Sequence, residues 1–398
     1  MWGYWPITLF WKTFGVFPVS LNSHKAPVIL TTFLLVSSPF LFFFIPTVIC
    51  NVGMKCTTDS IRILKEIYPG MLNITSTFSR IALLYCVRYK FPKYKKILES
   101  YETYSPTSAA DVRRYKTFTL VSVSLCIGLA VMANVFRFHR FLSMDEPNAL
   151  IVVLYLYVFV QNLSMCCSET QFAEHCFVLY CKLRNINREI IELNIGLLMN
   201  FSRYLCSFHA NSGSPAVAVD IDAFGDPQDK ARSVANAIEA LRIRHWLIRE
   251  GVGCLNGLFG IQLGMSVCTL CIMSFFDIYY ETFREMGDHT QSTVAMYTLQ
   301  FHFAVRYIGI ILISHFTTKQ ALHTKTLIAN LKSSYLDCCI NKELHLFLDQ
   351  ISHSSVEFTA CDIFTLNIRL ITSTIAAGIT YLVILVQYQT DEKDFNNN

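Results

Sequence analysis

Seven predominantly apolar runs, each about 20 residues long and so able to cross roughly 30 Å of hydrocarbon as a helix, recur along the 398-residue chain. They lie near 27–50, 67–87, 117–135, 149–172, 252–275, 294–316 and 370–388. Composition agrees: the chain is 53% hydrophobic and 16% charged, with a mean hydropathy of +0.39, outside the range of an ordinary soluble domain. The fold class is therefore all-α, a polytopic membrane protein with seven transmembrane helices. The second run is the most polar, because YPGMLNITSTFSR precedes the apolar IALLYCV. Such a segment is stable only where it faces protein or a water-filled cavity.

Orientation follows from the Lys and Arg residues between the runs. One side holds 24, in residues 1–26, 88–116, 182–251 and 317–369, and the other side holds 7. The positive-inside rule predicts a cytoplasmic N-terminus and an extracellular C-terminus, the reverse of a receptor coupled to G proteins. The chain then divides into a cytoplasmic segment at 1–26, helices one to four within 27–182, a cytoplasmic helical extension at 183–251 and helices five and six within 252–316. Cytoplasmic anchor helices follow at 317–369, then a last helix at 370–388 and an extracellular tail at 389–398. Within the extension, a polar stretch rich in Gly and Pro near 207–232 reads as a flexible loop. The flanking sequences HCFVLYCKLRNINREIIELNIGLLMNF and VANAIEALRIRHWLIREGVG keep a helical apolar period, so helices four and five are expected to run on below the membrane. KTLIANLKSSYLDCCINKELHLFLDQI is amphipathic and completes the material for a helical layer there.

Several function classes drop out. The basic residues form no aromatic-interleaved patch, so no nucleic acid is expected as a partner. MWGYWPITLFWKTFGVF is aromatic, contains Pro6 and lacks a small-residue cleavage site, so no cleaved signal peptide is expected. The 15 Cys lie mostly in apolar runs and read as small hydrophobes. The CTLC pair at Cys268 and Cys271 has no second pair, so no metal or other cofactor is expected. Cys50 and Cys56 alone suit an external disulfide. The sequons at Asn73, Asn162 and Asn200 fall inside helices or in the cytosol, where glycosylation does not reach. No H-E-x-x-H, G-x-S-x-G or phosphate-cradling loop occurs, which disfavours an enzyme, and no internal repeat supports a transporter. A polytopic transporter or enzyme with an intramembrane polar site is the alternative function.

The last run carries the most specific pattern. At 100° per residue, Ser373, Ala377, Thr380, Ile384 and Gln387 fall on one stripe, with Tyr388 at its edge. Small and polar residues in a membrane helix permit close packing within one subunit, or they line water. The second reading needs a symmetric ring of chains, since one helix encloses nothing.

TYLVILVQYQ, Thr380 to Gln389, resembles the C-terminal signature of insect gustatory receptors, which is Thr-Tyr, five apolar residues and Gln-Phe. FLDQISHSSVEFTACDIFTLNIRL, Phe347 to Leu370, and LRIRHWLIREGVGCLNGLFG, Leu241 to Gly260, are also similar to that family. Tyr388 stands where the family has Phe, and Asp362 where Gly is expected. The resemblance implies a ligand-gated, non-selective cation channel of the plasma membrane, a homotetramer or a hetero-oligomer with related receptors, embedded in membrane lipid. The last helices would line the pore, with Ile384, Gln387 and Tyr388 narrowing its outer end. The ligand implied is a small tastant, a bitter plant compound or a sugar. Sugar-responsive members of the family often carry an acidic residue just after Thr-Tyr, and Leu382 here points weakly away from sugar.

A ligand arriving from outside meets the outer halves of the helices. Their polar residues are Tyr68, Asn73 and Thr75 on helix two, Asn134 on three, Tyr155 on four, Thr269 on five, and Thr293, Tyr297 and Gln300 on six. The last three share a helix face and suit a sugar or an aromatic compound, although mutual satisfaction between helices is an equally good account of any one of them. Two arginines lie inside the runs, where charge is costly. Arg80 is expected to snorkel toward the cytoplasm, and Arg306 to pair with Glu169 or Glu174. His302 and His315 read as buried structural histidines.

Overall fold

A computed structural model describes residue 11 and residues 32–39, 59–142, 149–210, 227–283, 290–331 and 338–397. Helix α1 is described over 32–39. It is followed by α2 (Asp59–Tyr104), α3 (Ala109–Leu142), α4 (Ala149–Ala210), α5 (Pro227–Phe283) and α6 (Thr290–Leu331). The amphipathic α7 (Cys338–His353), strands β1 (Thr359–Ala360) and β2 (Phe364–Thr365), and α8 (Ile368–Asn397) complete the order. The fold is nearly all helical. Most of the first apolar run, the Cys50 and Cys56 pair, most of the 207–232 loop, and the side chains of Tyr68, Thr293 and Tyr388 lie outside the described residues.

Helices α3, α4, α5, α6 and α8 each contain a segment long and apolar enough to cross a membrane. Two of them are far longer than a bilayer requires. At 1.5 Å per residue, the 62 residues of α4 extend about 90 Å, roughly three times the hydrocarbon thickness. Helix α4 therefore continues well past the apolar run, as its sequence period predicts. Helix α2 passes its own run in the same way and ends in a tight turn at Ser105. There Ser108 caps α3: its hydroxyl accepts from the Asp111 amide at 3.1 Å and donates to the Asp111 carboxylate at 2.8 Å, satisfying an orphan amide of the first turn. Pro227 opens α5, at a position where its missing N–H costs nothing.

The helical extensions pack into one layer. Tyr94 and Tyr101 of α2, Ile186 of α4, Ile238 and Ile248 of α5, and Phe347 of α7 are all buried there. Burial holds the Tyr94 phenol protonated well above its ordinary range, and Tyr101 is pushed up to about 12, chiefly by burial. Helix α7 turns Ile340, Leu344, Phe347 and Ile351 into this layer, a spacing that places them on one face. Each such burial contributes about 1.5–3 kcal/mol. Arg242 pairs with Glu343 at 3.5 Å, and Gln350 donates to the Arg242 carbonyl at 3.2 Å, which fixes the register of α7 on α5.

Between α7 and α8 the chain makes a small antiparallel hairpin in which Thr359 pairs with Thr365 and Ala360 with Phe364. Cys361 and Asp362 take φ of 54° and 55°, and the Ile363 amide donates to the Ala360 carbonyl at 3.1 Å, as in a type I′ turn. Asp362 tolerates the left-handed region because its carboxylate accepts from the Thr359 hydroxyl at 2.9 Å. This accounts for Asp where glycine was expected. The hairpin docks on α5: the Cys361 amide donates to the Gly260 carbonyl at 3.1 Å, and Asn256 donates to the Glu357 carbonyl at 2.8 Å. A Cβ at Gly264 would overlap the Cys361 sulfur, so glycine is what lets the turn sit so close.

Candidate functional site

Inside the bundle, polar side chains from α2, α4, α5 and α6 converge. Arg306 of α6 donates from Nε and Nη2 to both carboxylate oxygens of Glu169 at 2.8 and 2.7 Å, and from Nη1 to Asn162 Oδ1 at 2.7 Å. Ser266 of α5 donates to the same carboxylate. The pair is about 95% buried on both sides, so each charge depends on the other. Of the two partners expected for Arg306, Glu169 is the one it meets.

Arg80 departs from expectation. It is buried rather than snorkelling, with Nη2 donating to Gln161 Oε1 at 3.1 Å and Nε reaching Ser76 at 3.4 Å. Gln161 in turn donates to Ser38 and to Tyr157. The reason is position: Arg80 points from α2 toward α4, where Gln161 offers an acceptor within hydrogen-bond reach. The spacing of Ser76 and Arg80, one turn apart, is the sequence signal that marks this face of α2 as polar.

The outer-half residues are dispersed. Thr269 is buried, bonded to Thr75 at 2.6 Å, and lines a small void beside Arg306. Asn134 donates to the Ala130 carbonyl of its own helix at 2.6 Å. Tyr155 is half-buried and sits edge-on to Phe138 at 6.2 Å. Tyr297 is 60% exposed. Gln300 and Asn73, by contrast, hold buried amide atoms with no hydrogen-bond partner among the described residues, Oε1 of Gln300 and both Oδ1 and Nδ2 of Asn73. Such atoms are costly unless something else satisfies them.

On α8, the half-buried side is Ile371, Thr374, Gly378, Leu382 and Leu385. The Tyr307 hydroxyl of α6 reaches this side, bonding Thr374 at 2.8 Å and the Leu370 carbonyl at 3.3 Å. Ser373, Ala377, Thr380, Ile384 and Gln387 are exposed and lie about 140° around the helix from it. None of the apolar window of α8 is buried within the chain. The Ser373 and Thr380 hydroxyls donate to the carbonyls of Arg369 and Ala376 at 2.8 and 2.9 Å, which satisfies them on their own helix.

A family profile described as 7tm Chemosensory receptor matches residues 6–392. The chain belongs to this chemosensory receptor family. It is thus a multi-pass membrane protein of a receptor family, not of an enzyme family. Over 162 residues the receptor is 24% identical to gustatory receptor for sugar taste 43a of Drosophila melanogaster, covering 40% of this chain and 38% of that protein. It is 27% identical over 161 residues to putative gustatory receptor 28b of the same fly, covering 38% and 34%. The matched segment therefore spans less than two fifths of either relative. Among solved structures, the receptor is similar to the insect olfactory receptor OR5 from Machilis hrabei, with a TM-score of 0.62 and 12% identity over 96% of this chain and 97% of that one. The same olfactory receptor in complex with eugenol gives a TM-score of 0.65, at the same identity and coverage. At that identity the likeness is one of fold.

Proposed function

We propose that four copies of the chain form a ligand-gated, non-selective cation channel in the plasma membrane, with α8 of each copy facing the central axis, and that the channel detects a small tastant. One observation carries this reading: the stripe from Ser373 to Gln387 points away from its own subunit, so close packing within one chain does not account for it. A ring of α8 helices gives those residues an environment. Thr380 and Gln387 then face water and ions, and Ile384 with Tyr388 narrows the outer end. A neutral Gln ring offers dipoles without fixed charge, which admits cations with little discrimination. The assembly is a homotetramer or includes related receptors.

The unpartnered amide of Asn73 and the unpartnered Oε1 of Gln300 favour ligand contact in the outer half of α2 and α6, beside Thr293 on α6. Asn134, Tyr155, Thr269 and Tyr297 complete the candidate contacts. One relative is named for sugar taste and one structural neighbour holds eugenol, a phenol. Leu382 after Thr-Tyr leans toward a bitter or other non-sugar plant compound. The test is whole-cell recording from cells expressing this chain alone, challenged with sugars and plant alkaloids. A ligand-evoked current reversing near zero is expected. Surface-expressed protein that passes no current under any of them, both alone and with related receptors co-expressed, contradicts the proposal.

A further inference from the structure

A cavity of about 340 Å³ opens between α3, α4 and α6. It lies toward the α2–α3 turn, so the charge count places it in the cytoplasmic half of the membrane, away from the outer-half residues Asn134 and Tyr155. Its walls are mainly apolar, from Phe118, Leu125, Ile310 and Phe316 among others. Val121, Leu125 and Phe316 are 59%, 52% and 48% exposed at its mouth, and they lie within the apolar spans, so the mouth opens to hydrocarbon. The deep end holds the Arg306–Glu169 pair and His302. Arg306 and Glu169 already satisfy each other, with Asn162 and Ser266 completing the set. His302 is different. It is fully buried, its Nε2 lies 3.9 Å from the Cys166 sulfur, and its Nδ1 has no partner among the described residues.

We propose that this cavity is a binding site, reached from the bilayer, for a neutral hydrophobic molecule bearing one hydroxyl, which bonds His302 Nδ1 while its apolar body fills the space along α3 and α6. A charged ligand is disfavoured, because the charges present are paired and desolvation of a third has no compensation. A hydrocarbon alone fills the volume but leaves the imidazole nitrogen unsatisfied. Gly309 on the cavity wall gives a means of closing it, since a Cβ there meets nothing within 4 Å. This inference rests on the cavity alone and not on the channel reading.

The test uses the full chain in lipid nanodiscs and a 4-hexylphenol carrying a photoactivatable diazirine in its tail, with labelled peptides identified by mass spectrometry. Labelling is expected on the 121–129 and 305–313 segments. Unlabelled 4-hexylphenol should compete at least tenfold better than hexylbenzene. His302→Phe should abolish that difference and His302→Gln should retain it. Gly309→Leu, which adds side chain only to open space, should abolish the labelling outright, and it decides the matter if the His302 variants fail to fold. Equal competition by hexylbenzene, or labelling that survives Gly309→Leu, overturns the proposal and leaves the cavity to lipid tails.

Discussion

At the scale of single residues, the buried Arg306–Glu169 pair makes the firmest prediction. Removing one partner strands a charge, at a cost of about 3–5 kcal/mol, while replacing both with apolar residues of similar volume removes most of that penalty. Glu169→Leu or Arg306→Met alone should lower the thermal midpoint of the purified protein, and the double replacement should recover most of the loss. Independent, additive losses would mean the pair is not coupled as the geometry requires. Asn73 and Gln300 predict the opposite pattern. Because Gln300 Oε1 and both amide atoms of Asn73 have no hydrogen-bond partner among the described residues, Asn73→Leu and Gln300→Leu should leave stability unchanged or raised yet shift the tastant dose–response by about 1–3 kcal/mol, roughly 5- to 150-fold. A stability loss without a shift in response would make them packing residues. The pairing of Arg306 was legible from sequence, since an intramembrane arginine demands a carboxylate and few are within reach. The fate of Arg80 was not, because snorkelling and burial differ only in which neighbour the helix faces. That depends on where α2 packs, and no period within α2 encodes it.

At the scale of elements, the helices were readable and the short strands were not. The extensions of α4 and α5 followed from an apolar period that outlasts the membrane run, and α7 from a period that puts Leu344 and Phe347 on one face. The last helix runs to Asn397 rather than stopping near residue 388, because QTDEKDFNN contains no Gly or Pro to end it. The hairpin before α8 has two-residue strands, too short to show any alternation, and its only sequence trace is Asp362 in place of glycine. Its contact with α5 is nonetheless testable. Gly264→Ala drives a Cβ into the Cys361 sulfur and should destabilise the protein by about 1–3 kcal/mol. Adding Cys361→Ala removes that sulfur and should restore stability. If the double variant is no better than Gly264→Ala alone, the turn does not rest on α5 at this point.

At the scale of the whole molecule, an all-α polytopic fold was legible in seven apolar runs. Beyond the Arg306–Glu169 pair, the polar core and the cavities were not, since each is assembled from three or four helices distant in sequence. The 24 to 7 asymmetry in basic residues predicts that an epitope placed after Asn398 stains intact cells. Staining only after permeabilisation reverses the topology. The central claim is that the stripe on α8 faces an ion pathway formed by several copies. Four apolar side chains around a narrow axis exclude water, so Ile384→Ser should hydrate the closed gate and give ligand-independent current. Single cysteines placed along α8 in that background can then be exposed to a charged, water-soluble thiol reagent while the current is recorded. The account predicts block at positions 373, 377, 380 and 387, and little effect at 378, 382 and 385, which face α5 and α6. Block at the second set with the first set silent, or no periodicity at all, contradicts it.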